Sequence, residues 1–217
     1  MTSEPWNEQR AFLIGLTAAA GTLDALAFLY LGKVFNSFQS GNVLFLGLGA
    51  GAGNGGLVVR AGAVLVAFVA GAAAGSRLTG RRHILGVEAA LLAAFCVVWL
   101  LVGTPAAHPI WRVVLLALGA GAMGIQAAFA LALKIPNVVT VALTATIANL
   151  GQRAGDKDDA DDPDAPSNRL LIALCATYAI CATAIAVLPE TPALSATPLA
   201  LLIGADRLSR SPSPSRR

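Results

Sequence analysis

The chain has 217 residues, of which 56% are hydrophobic and only 12% are charged, and its mean hydropathy is +0.71. Apolar residues gathered into long unbroken runs exclude a soluble domain with a large core and point to an all-α polytopic membrane bundle. The net charge of +3 is no argument for nucleic acid, because no basic stripe with interleaved aromatics accompanies it.

In chain order, residues 1–10 are a short polar N-terminus. Ala11 to Leu31 is a first span, long enough to cross roughly 30 Å of hydrocarbon at about 1.5 Å per residue. A signal peptide is the competing reading, since Ala18-Ala19-Ala20 resembles a cleavage site. Only one positive charge precedes the run and apolarity continues to Leu31, so retention is expected. Val34 to Gly53 is apolar overall but carries Asn36, Ser37, Gln39, Ser40, Asn42 and five glycines. That is too polar for a lipid-facing helix, and irregular backbone at membrane depth is tolerated only inside protein or beside a wet cavity. Leu57 to Gly75 is the next span, ending in Gly71-Ala72-Ala73-Ala74-Gly75, a GxxxG surface suited to helix contact within the bundle.

A basic turn, Arg77 to Arg82, leads to a span from Ile84 to Val102 that bears Glu88, expected to pair with Arg81 or Arg82 at the interface. Trp111 to Leu133 follows. Its Gly119 to Gly124 run formally matches GxGxxG but lacks the preceding strand and the later acid of a dinucleotide site. A second broken stretch, Val138 to Gly151, comes next. The Arg153 to Asn168 loop with its six aspartates reads as solvated. Leu170 to Leu188 and a weaker Ala193 to Ala205 close a membrane domain over 11–205, before a disordered basic tail over 206–217.

The two broken stretches look like copies. VFNSFQSGNVLFLG, from Val34, aligns with VVTVALTATIANLG, from Val138, so that Ser40-Gly41-Asn42 falls on Thr144-Ala145-Thr146. Each follows a span with a polar group in a matching place, Asp24 after Gly21 in the first and Gln126 after Gly124 in the second. Half-repeats of about 11–103 and 111–205 result. If the broken stretches dip in and return, six spans remain with both termini inside. Twelve of the fifteen Lys and Arg then lie on the cytoplasmic side, as the positive-inside rule prefers. Three spans per half make the repeat inverted, a recurrent transporter architecture.

At these residues the chain resembles the YoaK-type family of small bacterial integral membrane proteins. The likeness lies in a G-x-x-D-A element at Gly21, Asp24 and Ala25, an L-G-x-V-F element at Leu31, Gly32, Val34 and Phe35, and a T-G-N element carried here by Ser40, Gly41 and Asn42. The family also tends to have a Gln-Asn pair and a T-G-T element in its second half. This chain keeps Gln126, Thr144 and Thr146 but has Ala127 and Ala145 in place of asparagine and glycine. The resemblance covers Ala11 to about Ala205 and implies a bacterial inner-membrane protein of a family without an assigned function.

Candidate substrate- or ion-binding residues are Asp24, Ser40, Gly41, Asn42, Gln126, Thr144 and Thr146. An ionised carboxylate at the centre of a span costs about 2.5–3.5 kcal/mol on insertion scales, so Asp24 must be paired, wet or protonated. It reads as a proton carrier or cation ligand, or as a structural group bonding the broken backbone around Ser40 to Asn42. Gln126 reads mainly as a partner for backbone freed by the second break. Asn42, Thr144 and Thr146 either meet a solute or cap half-helices.

No catalytic residue, metal or cofactor is expected, because Cys96, Cys175 and Cys181 lie in apolar runs without a CxxC or a histidine partner. No nucleophile with a base beside it supports an enzyme. The reading is a small-solute transporter or permease, with protons as the coupling ion through Asp24. Its alternative is a non-transporting membrane partner or scaffold. The lipid bilayer and an unknown solute are its partners, nucleic acid is not, and a homo-oligomer is allowed.

Overall fold

The computed structural model describes residues 4–78, 80–103, 107–133, 143–155, 168–189 and 191–208. Among them every regular element is helical. Helix α1 spans Glu4–Leu26 and continues as a π-helical turn over Ala27–Gly32. It ends where Gly32 and Lys33 take positive φ, 117° and 64°, a left-handed reversal that glycine adopts without steric cost. A loop over 33–38 leads to α2, Gln39–Gly51. Helix α3, Gly55–Gly75, starts on an Asn54 cap whose side chain accepts the Leu57 N–H at 3.0 Å. Helix α4 covers Arg81–Val102, and α5 covers Pro109–Ala132 with proline in its first turn. Helix α6 is Leu143–Gly155 and α7 is Asn168–Val187. A 3-10 turn, Pro192–Ala196, runs into α8, Thr197–Leu208.

Among the described residues, five segments are long and apolar enough to cross a membrane: Arg10–Gly32, α3, α4, α5 and α7. The expected sixth span, Ala193 to Ala205, is instead a 3-10 turn plus a 12-residue helix, because Pro192 and Pro198 interrupt the α-helical ladder. The segments of α1 and α5 are 78% and 72% buried, whereas those of α3, α4 and α7 are 17%, 33% and 22% buried. Helices α1 and α5 are therefore the centre and the others the wall. The wall turns apolar side chains outward, including Val66, Val69, Leu101, Ile172, Ile180 and Val187. Polar groups inside and valines outside is the distribution of a helix bundle solvated by lipid, and the chain is a membrane protein.

Packing is paired. Helix α3 lies along α5 and α1 along α7; α4 lies along α5 and α1 along α8; α2 rests on α3 and α6 on α7. Small residues make the close crossings. A methyl group on Gly71 would overlap the Gly121 carbonyl, and one on Gly124 would overlap the Phe68 carbonyl. The Gly71 to Gly75 surface thus serves contact inside the bundle, and the GxGxxG match in α5 is a packing face.

The first broken stretch folds back against α1. Asn36 donates to the Leu23 carbonyl at 3.3 Å and the Ser37 N–H to Asp24 at 2.7 Å, so the loop folds back past the π-helical turn to the last turn of α1. Arg60 near the start of α3 donates to the Gly32 carbonyl at 3.0 Å. The end of the α1 segment and the start of α3 therefore lie together, and α2 runs back from the level of Asp24 toward them. Lys134, residues 138–142 of the second stretch, most of the six-aspartate loop and most of the basic tail lie outside the described residues.

Candidate functional site

Asp24 is 2% exposed and lies where α1 meets both the folded-back loop and α7. Its Oδ1 accepts the Ser37 N–H at 2.7 Å, and its Oδ2 accepts the Ser37 and Tyr178 hydroxyls, each at 2.6 Å. The donors from the loop are those of Ser37, not of Ser40 to Asn42. Charge-assisted bonds of this kind are the strong ones in a low-dielectric interior. No Lys or Arg bonds the carboxyl among the described residues. Gly21 explains how Tyr178 gets there. It lies three residues before Asp24, on the same helix face, and a side chain at Gly21 would strike the Tyr178 backbone. The G-x-x-D-A spacing is thus a docking notch for α7 followed by the acid that its tyrosine reaches.

Asn42 is fully buried and spends its amide on the loop. Its Oδ1 accepts the Phe35 N–H at 2.9 Å, while its Nδ2 donates to the Phe35 carbonyl at 2.6 Å and to Gln39 Oε1 at 3.0 Å. Gln39 in turn donates to the Asn36 carbonyl at 2.8 Å. Backbone that cannot pair within a helix is thereby satisfied by side chains, which membrane depth requires. Gly41 is buried against the Phe35 and Phe38 rings, where a Cβ would collide with both. Ser40 is exposed at the start of α2. The Phe35 ring stacks on Phe28 and Phe45 and meets Phe38 edge-on, which stiffens the loop.

In the second half, Gln126 is fully buried and donates to the Leu16 carbonyl of α1 at 3.1 Å. It ties α5 to α1 at the centre of the bundle. Thr146 is buried and its hydroxyl has no partner among the described residues, whereas Thr144 is exposed. Thr144 lines a cavity of about 300 Å³ together with Phe35, Ser37 and Phe38 of the first loop, Leu143 and Ile147 of α6, and Tyr178 of α7. The two broken stretches therefore face each other across one space. Two of its walls are the hydroxyl residues that hold Asp24. Asn42 and Gln126 stand outside this lining, and Asp24 lies directly behind it.

Ser37, Tyr178, Phe35 and Phe38 complete the site, and no pattern in the chain singles them out as its lining. Ser37 was visible only as one polar residue among several, and Tyr178 as one of two tyrosines in apolar runs. Glu88 differs from expectation. Arg81 pairs with Asp206 at 3.6 Å, while Glu88 is fully buried with neither carboxyl oxygen bonded among the described residues. Axial distance separates Glu88 from Arg81, which stands two turns or about 10 Å nearer the helix start on the same face, and helical phase separates it from Arg82; Glu88 lies on the inward face with Leu85 and Leu92.

A family model described as a protein of unknown function (DUF1275) matches residues 12–205. No curated protein and no solved structure matches the chain.

Proposed function

The chain belongs to the family of proteins of unknown function DUF1275, and from that premise we propose that it is a small-solute transporter or permease working by alternating access. The observation that carries this reading is the cavity of about 300 Å³ between the two broken stretches, backed by the Asp24–Ser37–Tyr178 cluster. Sites between discontinuous helices near the midplane are where secondary transporters hold their cargo.

The proposed architecture is an inverted repeat of α1–α4 and α5–α8. Support comes from the exchange of partners between halves, α3 on α5 and α1 on α7, α4 on α5 and α1 on α8. The match reaches single residues, since Gly21 meets the Tyr178 backbone and Gly124 meets the Phe68 backbone. Because α2 returns to the side it left, each half has three crossings, the last of the second half made by the 3-10 turn and α8 over about 28 Å. In this reading the protein is a bacterial inner-membrane protein with both termini inside.

The halves differ at one point. The first has Asp24 one turn after its notch glycine and a tyrosine opposite; the second has Ala127 and Phe68. At these two matched notches the described residues show a polar latch on the first side, Asp24 with Tyr178, and an apolar contact on the second. Protons couple here: a proton on Asp24 removes an acceptor from Ser37 and Tyr178 and loosens α1 from α7. Tyr178 is the titratable side chain bonded to Asp24 among the described residues.

The test is solute flux into proteoliposomes over a panel of small solutes, with and without a pH gradient. Wild type is expected to accumulate at least one solute when the gradient is imposed, and Asp24→Asn to equilibrate it without accumulation. Tyr178→Phe is expected to leak the gradient. Equal accumulation by wild type and Asp24→Asn removes the coupling role. The second reading, a non-transporting scaffold, is favoured by the Asn42 amide, which is used up on Phe35 and Gln39. A panel in which no solute moves supports it.

A further inference from the structure

A second cavity lies at the opposite kind of location, on the lipid-facing seam between α4 and α8. It measures about 610 Å³ and is lined by Arg82, His83, Gly86 and Ala89 of α4 and by Ile203 and Arg207 of α8, with Leu85, Leu202 and Asp206 completing it. Its polarity is graded. Arg82, His83, Asp206 and Arg207 occupy the end where α4 begins and α8 finishes. Gly86, Ala89 and Ile203 continue it toward the apolar middle. Arg82, Gly86 and Ala89 are one helical turn apart in succession, so they form a continuous trough along α4.

Charge and shape agree on an occupant. The lining carries two arginines, Arg82 and Arg207, against one acid, Asp206, which also pairs with Arg81 at 3.6 Å, so positive charge exceeds negative charge at the rim. Arg82 and Arg207 are both exposed. Guanidinium groups match phosphate geometry, and small residues below them leave room for a chain. Gly86 is the telling position, because a Cβ built there meets no atom within 4 Å. The trough is therefore unfilled by protein along a seam that faces acyl chains.

We infer that the α4–α8 groove is a binding site for an anionic phospholipid, its phosphate between Arg82 and Arg207 and one acyl chain along Gly86 and Ala89. This inference is independent of transport. Basic pockets between spans hold anionic headgroups by the same chemistry. Because both halves of the molecule contribute one wall, an occupant bridges α4 to α8 and stiffens a seam with little direct helix contact.

The experiment measures lipid binding to the purified full chain by intact-complex mass spectrometry and by thermal unfolding in detergent. The probes are phosphatidylglycerol, phosphatidylcholine and inorganic phosphate. Phosphatidylglycerol is expected to bind at least tenfold more tightly than phosphatidylcholine and to raise the unfolding midpoint. Arg82→Gln with Arg207→Gln is expected to weaken it about thirtyfold. Gly86→Leu fills the trough without touching protein, so it should abolish phosphatidylglycerol binding while leaving the midpoint in phosphatidylcholine unchanged. Equal binding of the two lipids overturns the inference. So does full competition by inorganic phosphate, which makes the site a free-anion site, or undiminished binding in either variant. If Gly86→Leu does not fold, the arginine pair, both on the exposed rim, decides alone.

Discussion

Residues with similar chemistry have divergent fates in this bundle, and hydrogen-bond accounting separates them. Asp24 and Glu88 are both buried acids, yet Asp24 receives three donors while neither oxygen of Glu88 is bonded among the described residues. A buried polar group without a partner costs about 1–3 kcal/mol. Glu88→Met keeps the length and removes that cost, so the variant is expected to unfold at higher temperature in detergent. A lower midpoint would mean that the carboxyl has a stabilising partner. That Asp24 must be buried and bonded was legible from the sequence, since an acid in an apolar run stands out. Its partners were not, because Ser37 and Tyr178 are 13 and 154 positions away and neither residue type is unusual in a span. Asn42 was legible as buried and polar, but whether its amide met a solute or the Phe35 backbone depended on a loop conformation that no pattern encodes.

Elements are set by glycine in two opposite ways, one of which the sequence reveals poorly. Gly71, Gly121 and Gly124 are contact points where backbones touch, whereas a Cβ on Gly47 in α2 would meet nothing within 4 Å. The same substitution should therefore have opposite signs. Gly124→Ala is expected to destabilise by about 1–3 kcal/mol through overlap with α3, while Gly47→Ala is expected to be neutral or stabilising by up to about 1 kcal/mol through helix propensity. Chemical or thermal unfolding of the two variants in one detergent checks this, and equal effects would contradict the packing scheme. Span limits were readable to within three residues because hydropathy changes sharply at their ends. The last span was not, since an apolar composition hides the interruption by Pro192 and Pro198. The count of positive charges led to the expectation that the first stretch folds back; the loop's bonds to Leu23 and Asp24 come from a tertiary arrangement that the charges do not encode.

At the scale of the molecule, the two central helices, α1 and α5, each pack against helices from the other end of the chain, so the alternating-access motion proposed above would shear those glycine-lined crossings. The cavity between the broken stretches should change with that motion. In a chain with Cys96, Cys175 and Cys181 replaced by Ser, Phe38→Cys and Thr144→Cys place thiols on opposite walls of the cavity. A short bifunctional thiol reagent is expected to stop solute flux in the double variant and to leave each single variant active. Unchanged flux after complete linkage would mean that these walls do not part. The bond between Tyr178 and Asp24 also has a consequence in time. Its partners are 154 residues apart, and at ribosomal speeds of about 5–20 residues per second the tyrosine is made roughly 8–30 s after the acid. Through that interval α1 waits in the bilayer with an incompletely satisfied carboxyl, and the nascent protein carries its own marker of unfinished assembly.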